Sequence, residues 1–241
     1  LEQFRYEHFN EFLDPPGAEL VKLSPWDLQA FFSVARARVQ TGRNFTSADL
    51  DEFNDTTVSQ INSHIKKFGT GGAFAKTSFK SSKQDSEPKP RFNATDVLKD
   101  LTSSKQVLQF LEWQLKGKSE ELAIVLVPWQ PRITKANEYR AFVVNGELTA
   151  ISQQHWYTDT GIREENVKIA ASAIQGMFER TLRQKLPFKD VVLDLWISYE
   201  DGKAHLIECN PGCLWGSSGS SLFHWMEDYE KLHNVSKKVF V

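Results

Sequence analysis

The sequence predicts an α+β fold, and three observations carry that prediction. Apolar residues recur at helical spacing through most of the first 68 residues, an Asn145-Gly146 dipeptide joins two strand-like runs, and a closing hairpin from Val191 to Asn210 follows a long amphipathic stretch at 162–186. The chain has 241 residues, 40% of them hydrophobic and 25% charged. That length fits one large domain or two lobes, and that composition buries a core and excludes a disordered chain.

Residues 1–68 read as mostly helical. Leu23, Trp26, Leu28, Phe31, Phe32, Val34 and Ala35 lie at helical spacing, and Ser24-Pro25 supplies an N-cap and a first-turn proline. A second helix is expected from Ser47, and a third from Thr56 or Thr57 to a stop at Phe68-Gly69. Gly69-Thr70-Gly71-Gly72 then turns the chain into a short strand, Ala73 to Phe79, followed by a polar loop at 80–93. The pattern from Thr95 through Leu115 is helical, and Leu122-Ala123-Ile124-Val125-Leu126-Val127 is a buried strand closed by Pro128-Trp129. Glu138–Val144 and Glu147–Gln153 flank the Asn-Gly turn as the arms of a hairpin.

Composition removes several function classes. The formal net charge of −2 excludes a basic nucleic-acid wrapper, and no stretch approaches the ~20 apolar residues that span a bilayer. The opening residues lack a basic segment followed by an apolar block. Two cysteines, Cys209 and Cys213, are too few for a disulfide scaffold and point to a reducing, cytoplasmic compartment. Seven Trp and seventeen Phe are a heavy aromatic load, suited to large apolar contacts or a partner surface.

The closing hairpin carries the chemistry. A three-residue loop, Glu200-Asp201-Gly202, would set Tyr199 opposite Lys203 and Asp194 opposite Glu208, with Gly202 at the left-handed position. One face would then hold Asp194, Trp196, Leu206, Glu208 and Asn210, and the other Val191, Leu193, Leu195, Ile197, His205, Ile207 and Cys209. Two carboxylates and a carboxamide on one face are oxygen ligands suited to a hard cation such as Mg2+. Lys76, on the strand after the glycine-rich turn, and Arg140, in the Asn-Gly hairpin, are the cations that a nucleotide triphosphate would use beside that metal. Residues 76–91 hold five basic and two acidic side chains, which fits a solvated face, a phosphate-covering loop or an RNA contact. The histidines show no metal-cluster spacing, Cys209 falls on the apolar face, and Gly216 to Ser221 reads as a flexible loop.

The ordered motifs resemble a known family. Gly-Gly-Ala-Phe-Ala-Lys76, Val127-Pro128-Trp129, Asn137-Glu138-Tyr139-Arg140-Ala141-Phe142, Ile151-Ser152-Gln153-Gln154, Asp194-Leu195-Trp196, Ile207-Glu208-Cys209-Asn210-Pro211 and Ser221-Leu222-Phe223-His224-Trp225 resemble the ATP-grasp fold. More narrowly they are similar to the cell division cycle protein 123 (D123) family, over about residues 60–226. The resemblance implies two lobes with antiparallel sheets enclosing a nucleotide cleft: 1–68 a helical N-terminal segment, 69–130 an N-lobe with the adenine hinge, and 131–241 a C-lobe with the metal site. It implies ATP and Mg2+ as cofactors. Lys76 would contact phosphates, backbone at Val127, Pro128 and Trp129 would form the hinge, Arg140 would sit by the terminal phosphate as the catalytic cation, and Asp194, Glu208 and Asn210 would bind metal. The implied role is assembly chaperone for the gamma subunit of translation initiation factor 2, and the alternative is an ATP-dependent carboxylate–amine ligase or a phosphoryl or nucleotidyl transferase. Two departures stand out: Lys83-Gln84-Asp85 separates a basic residue and an Asp that the family joins, and Glu208 stands where the family commonly has Asp.

Overall fold

The computed structural model describes residues 17–78, 81–82, 88–116, 122–212, 222–224, 226–233 and 238–241. These divide into two units, Gly17–Gln130 and Pro131–Val241. Both are α+β, each built on one antiparallel sheet. Among the described residues no helix is long and apolar enough to cross a membrane.

The first unit runs β1 (Glu19–Lys22), α1 (Pro25–Thr41), α2 (Ser47–Asp51), α3 (Asp55–Lys67), a 3-10 turn at Gly69–Gly71, β2 (Ala73–Thr77), α4 (Ala94–Leu101), α5 (Lys105–Lys116) and β3 (Ala123–Pro128). Ser24 caps α1 by accepting the Asp27 N–H at 3.1 Å, and Gly42 ends the helix with φ 69°. The sheet order is β1-β3-β2. Its core face turns Val21, Ala73, Ala75, Ile124 and Leu126 toward Phe31, Val34, Ile61, Leu98 and Leu111.

Two elements depart from the sequence reading. Glu19–Lys22 is a strand, paired antiparallel with Ala123–Leu126, because the space between Gly17 and the Ser24 cap is too short for a helix while β3 offers an open edge. The helical pattern from Thr95 breaks into α4 and α5 at Thr102–Ser104. There Thr102 Oγ1 donates to Leu98 O at 2.6 Å, and Ser104 Oγ accepts the Val107 N–H at 3.2 Å to start a new helix.

The second unit contains β4 (Glu138–Val144), β5 (Glu147–Gln153), α6 (Glu164–Met177), a π turn at Phe178–Leu182 leading into α7 (Arg183–Lys185), β6 (Val191–Ser198), β7 (Lys203–Pro211) and α8 (Tyr229–Leu232). The sheet order is β5-β4-β6-β7, antiparallel throughout, and α6 packs on β6 and β7. Asn145 (φ 54°) and Gly146 (φ 78°) adopt the paired left-handed conformations that a two-residue hairpin turn demands. That turn is fastened to the start of β6: the Asn145 N–H donates to Asp190 Oδ1 and the Gly146 N–H to Lys189 O, each at 2.7 Å.

Asp27 ties α1 to the start of α3. Wholly buried, it accepts from Ser24 Oγ at 2.6 Å, the Asn54 N–H at 2.8 Å, and Asn54 Nδ2 and Thr57 Oγ1 at 2.9 Å. Burial opposes its charge, but these bonds hold its pKa below the ordinary value. Asp27→Ala strands several buried donors and is expected to destabilise the protein by about 2–4 kcal/mol, read as a lower urea midpoint. Asp49, paired with Arg43 and bonded to Thr46, is held at about 2. A depressed carboxylate stabilises the fold above its unfolded value of about 4 and loses that contribution as pH falls through its folded value. Asp49→Asn should therefore flatten the loss of stability between about pH 4 and about pH 2.

Candidate functional site

The expected pairing of Asp194 with Glu208 is present, but the chain reaches it by another route. The loop has four residues, Tyr199–Gly202, set between the pair Ser198 and Lys203. Tyr199 is drawn off the strand: its hydroxyl shares a 2.9 Å bond with Tyr139 and lies 3.3 Å from Ala136 O. On its own this loop would set Asp194 opposite Ile207 and send Glu208 to the other face. A bulge between the pairs Leu195–Leu206 and Asp194–Glu208 absorbs Ile207 and restores the alignment. Two assignments are corrected as a result. Leu206 lies opposite Leu195 on the apolar face, and His205 lies opposite Trp196 and stacks on its ring at 4.3 Å and 12°.

Strand alternation then gathers one polar face: Glu138 and Arg140 from β4, Ser152 from β5, Asp194 and Trp196 from β6, Glu208 and Asn210 from β7. Farther along, the same face is apolar, where Phe142, Ala150 and Val192 pack with Phe223 and Leu232. Arg140 forks onto Asp194, Nε to Oδ1 at 2.7 Å and Nη2 to Oδ2 at 2.8 Å, and both side chains are buried. Asn210 Nδ2 donates to Asp194 Oδ2 at 3.1 Å and lies 3.5 Å from Glu208 Oε1. Glu138 meets His155 Nε2 at 3.3 Å. Just beyond β7, a Cβ at Gly212 would meet Asp190 backbone atoms at 2.6–2.7 Å, so the strand end lies directly against the start of β6.

Three carboxylates thus crowd one guanidinium. Burial, Glu208 and Glu138 push Asp194 up to about 6 against the pull of Arg140. Burial also works against the charge of Arg140, but Asp194 raises its pKa overall, with Glu208 and Glu138 adding to the effect. The indole Nε1 of Trp196 is buried on this face without a hydrogen-bond partner.

Lys76 and Val127 lie on the sheet face opposite the core of the first unit. Lys76 is buried in β2 opposite Val125, and Phe74 opposite Val127, so Lys76, Val125 and Val127 share that face. The Trp129 N–H donates to Gly72 O at 3.0 Å, and Val127 has the same orientation in the ladder. Of the three expected hinge positions, Val127 and Trp129 turn their backbone groups toward β2. The Pro128 carbonyl points the other way, past the last β1 pair, Glu19–Leu126.

Cys209 is buried opposite Leu193. Cys213, Lys83-Gln84-Asp85, Gly216–Ser221 and Trp225 lie outside the described residues. Among the described residues no three or more His, Cys, Asp or Glu side chains come together in a metal-holding group. The donor set on the polar face is nonetheless one that a hard cation takes, two carboxylates and a carboxamide on adjacent strands. The sequence reading quoted Glu138 and Ser152 in motifs without giving them a place at the site. Period-two alternation puts Glu138 on the face of Arg140, and the hairpin register puts Ser152 opposite it.

Arg140→Leu leaves the acids unopposed and should destabilise the protein by about 3–5 kcal/mol. Asp194→Asn removes one of the three negative charges and should cost less. Urea unfolding at neutral pH checks the order, and a larger loss for Asp194→Asn would refute the excess of negative charge.

The chain is similar to two solved structures of Cdc123 from Schizosaccharomyces pombe, one of them C-terminally truncated. Each is 19% identical with a TM-score of 0.73, over 99% of this chain and 94% of that chain, and so shares its fold. A D-alanine–D-alanine ligase from Bacillus anthracis, solved with ATP, gives a TM-score of 0.30 at 15% identity over 73% of this chain and 64% of that one. No curated protein sequence matches the chain. The D123 family model matches residues 36–239, and the chain belongs to the D123 family.

Proposed function

We propose that this D123-family protein binds ATP with Mg2+ through an ATP-grasp site and, in the cytoplasm, uses the nucleotide-bound form to assist assembly of the gamma subunit of translation initiation factor 2. The observation that carries the nucleotide reading is the convergence of Arg140, Asp194, Glu208 and Asn210 on one sheet face. Asp194, Glu208 and Asn210 would hold the metal, which supplies charge neutralisation for the phosphates when bound. Arg140 would face the terminal phosphate. Lys76 would meet the phosphates from the face it shares with Val125 and Val127, whose side chains suit a purine. Of the hinge backbone, the Pro128 carbonyl is the group turned away from β2, and it would accept the adenine amino group.

The aromatic excess supports a protein partner, with Trp156 and Tyr157 exposed on the loop after β5.

Calorimetry should find ATP binding that requires Mg2+ and weakens at least about tenfold in Lys76→Ala, the scale of one lost charge-assisted contact. Absence of ATP binding by the folded protein would sink the nucleotide reading. Pull-down from cell extract with ATP should retain the gamma subunit. Its absence with and without ATP would remove the partner, and substrate-dependent ADP formation lost in Asp194→Asn would favour the ligase alternative.

A further inference from the structure

Arg140 occupies both oxygens of Asp194, one of the carboxylates proposed to hold the metal. Asn210 also presents its NH2 group, not its carbonyl, to Asp194 and Glu208. These bonds of Arg140 and Asn210 run from a donor to a carboxylate, which is how such a cluster is satisfied when the guanidinium is its cation. Both members of the fork are buried, at 7% and 3% exposure, so neither exchanges its partner for water without cost. Arg140 has two further acids in reach of its charge, Glu208 and, on its own strand two residues away, Glu138.

We propose that Arg140 is the stand-in cation of this site. In the nucleotide-free protein it holds Asp194. It releases that carboxylate only when polyphosphate arrives with a divalent ion, so that ion and nucleotide load as a pair. The inference rests on the ATP·Mg2+ reading. An ion arriving alone must take Asp194 and Glu208 from a buried guanidinium, leaving it the weaker attraction of Glu138. With polyphosphate present, phosphate oxygens receive the released fork, while Asp194 and a turned Asn210 amide become available as oxygen ligands. Arg140 thus acts first as a competitor of the metal and then as a ligand of the anion.

Mn2+ serves as the probe, with free and bound ion distinguished by electron paramagnetic resonance. In the unaltered protein, Mn2+ alone should bind weakly and Mn2+ with ATP strongly. Arg140→Gln should tighten Mn2+ binding without nucleotide by about tenfold, the scale of one lost competing ion pair, and weaken it with ATP, shrinking the coupling between the two ligands. Unchanged or weaker Mn2+ binding by Arg140→Gln without nucleotide would overturn the exchange. If that variant does not fold, Arg140→Lys keeps the charge without the fork and should show the same tightening in smaller degree. The unaltered protein gives an independent readout through the arginine Nε–Hε resonance missing from the Arg140→Lys spectrum: it should hold its position with Mg2+ alone and move with ATP·Mg2+. A resonance unmoved by ATP·Mg2+ would also overturn the proposal. Failure of the unaltered protein to bind Mn2+ or ATP in any combination would instead bring down the nucleotide reading itself, and the exchange with it.

Discussion

The register of the closing hairpin is the constraint on which the site depends. Side chains alternate across a strand, so a one-residue slip between β6 and β7 exchanges every inward and outward residue. Here the Tyr139–Tyr199 hydroxyl contact takes Tyr199 out of the strand, and the bulge at Ile207 returns the missing position. The two irregularities compensate. From Asp194 onward the carboxylates share a face, while Leu195 and Leu206 stay in the apolar layer. A single substitution at either irregularity therefore acts on the charged cluster from a distance, by sliding a strand.

The second constraint is electrostatic. A fold built for stability alone gains little from three acids around one buried arginine, because desolvation consumes much of the attraction within an ion pair and leaves the surplus charge uncompensated. Such an arrangement keeps more negative than positive charge at one place on the sheet. Packing covers one end of the same face with Phe142, Val192 and Phe223, and that apolar floor limits the water available to screen the cluster.

Much of this was legible in the sequence, for identifiable reasons. Ser24-Pro25 and Asn145-Gly146 each have one strongly preferred backbone solution, and both behave accordingly. The pairing of Asp194 with Glu208 was also readable, although through a loop one residue too short, since the bulge offsets the error. His205 and Leu206, which lie between the two irregularities, were for that reason assigned to each other's faces. Strand β1 escaped notice because its four residues gain their hydrogen bonds from β3, about a hundred positions away. Glu138 is a different case: nothing in the strand pattern marks it, and only its place two residues before Arg140, whose charge it acts on, gives it a part in the site.

Asp190 has a place in all of this that its ordinary position just before β6 does not announce. Its carboxylate fastens the Asn145 turn, and its backbone leaves no room for a side chain at Gly212. Four strand ends, those of β4, β5, β6 and β7, are thereby clamped at one corner of the sheet, a few residues from the acids. The side chains proposed as ligands would swap partners while the ribbons beneath them keep their alignment, much as a jointed arm works best from a bolted bench.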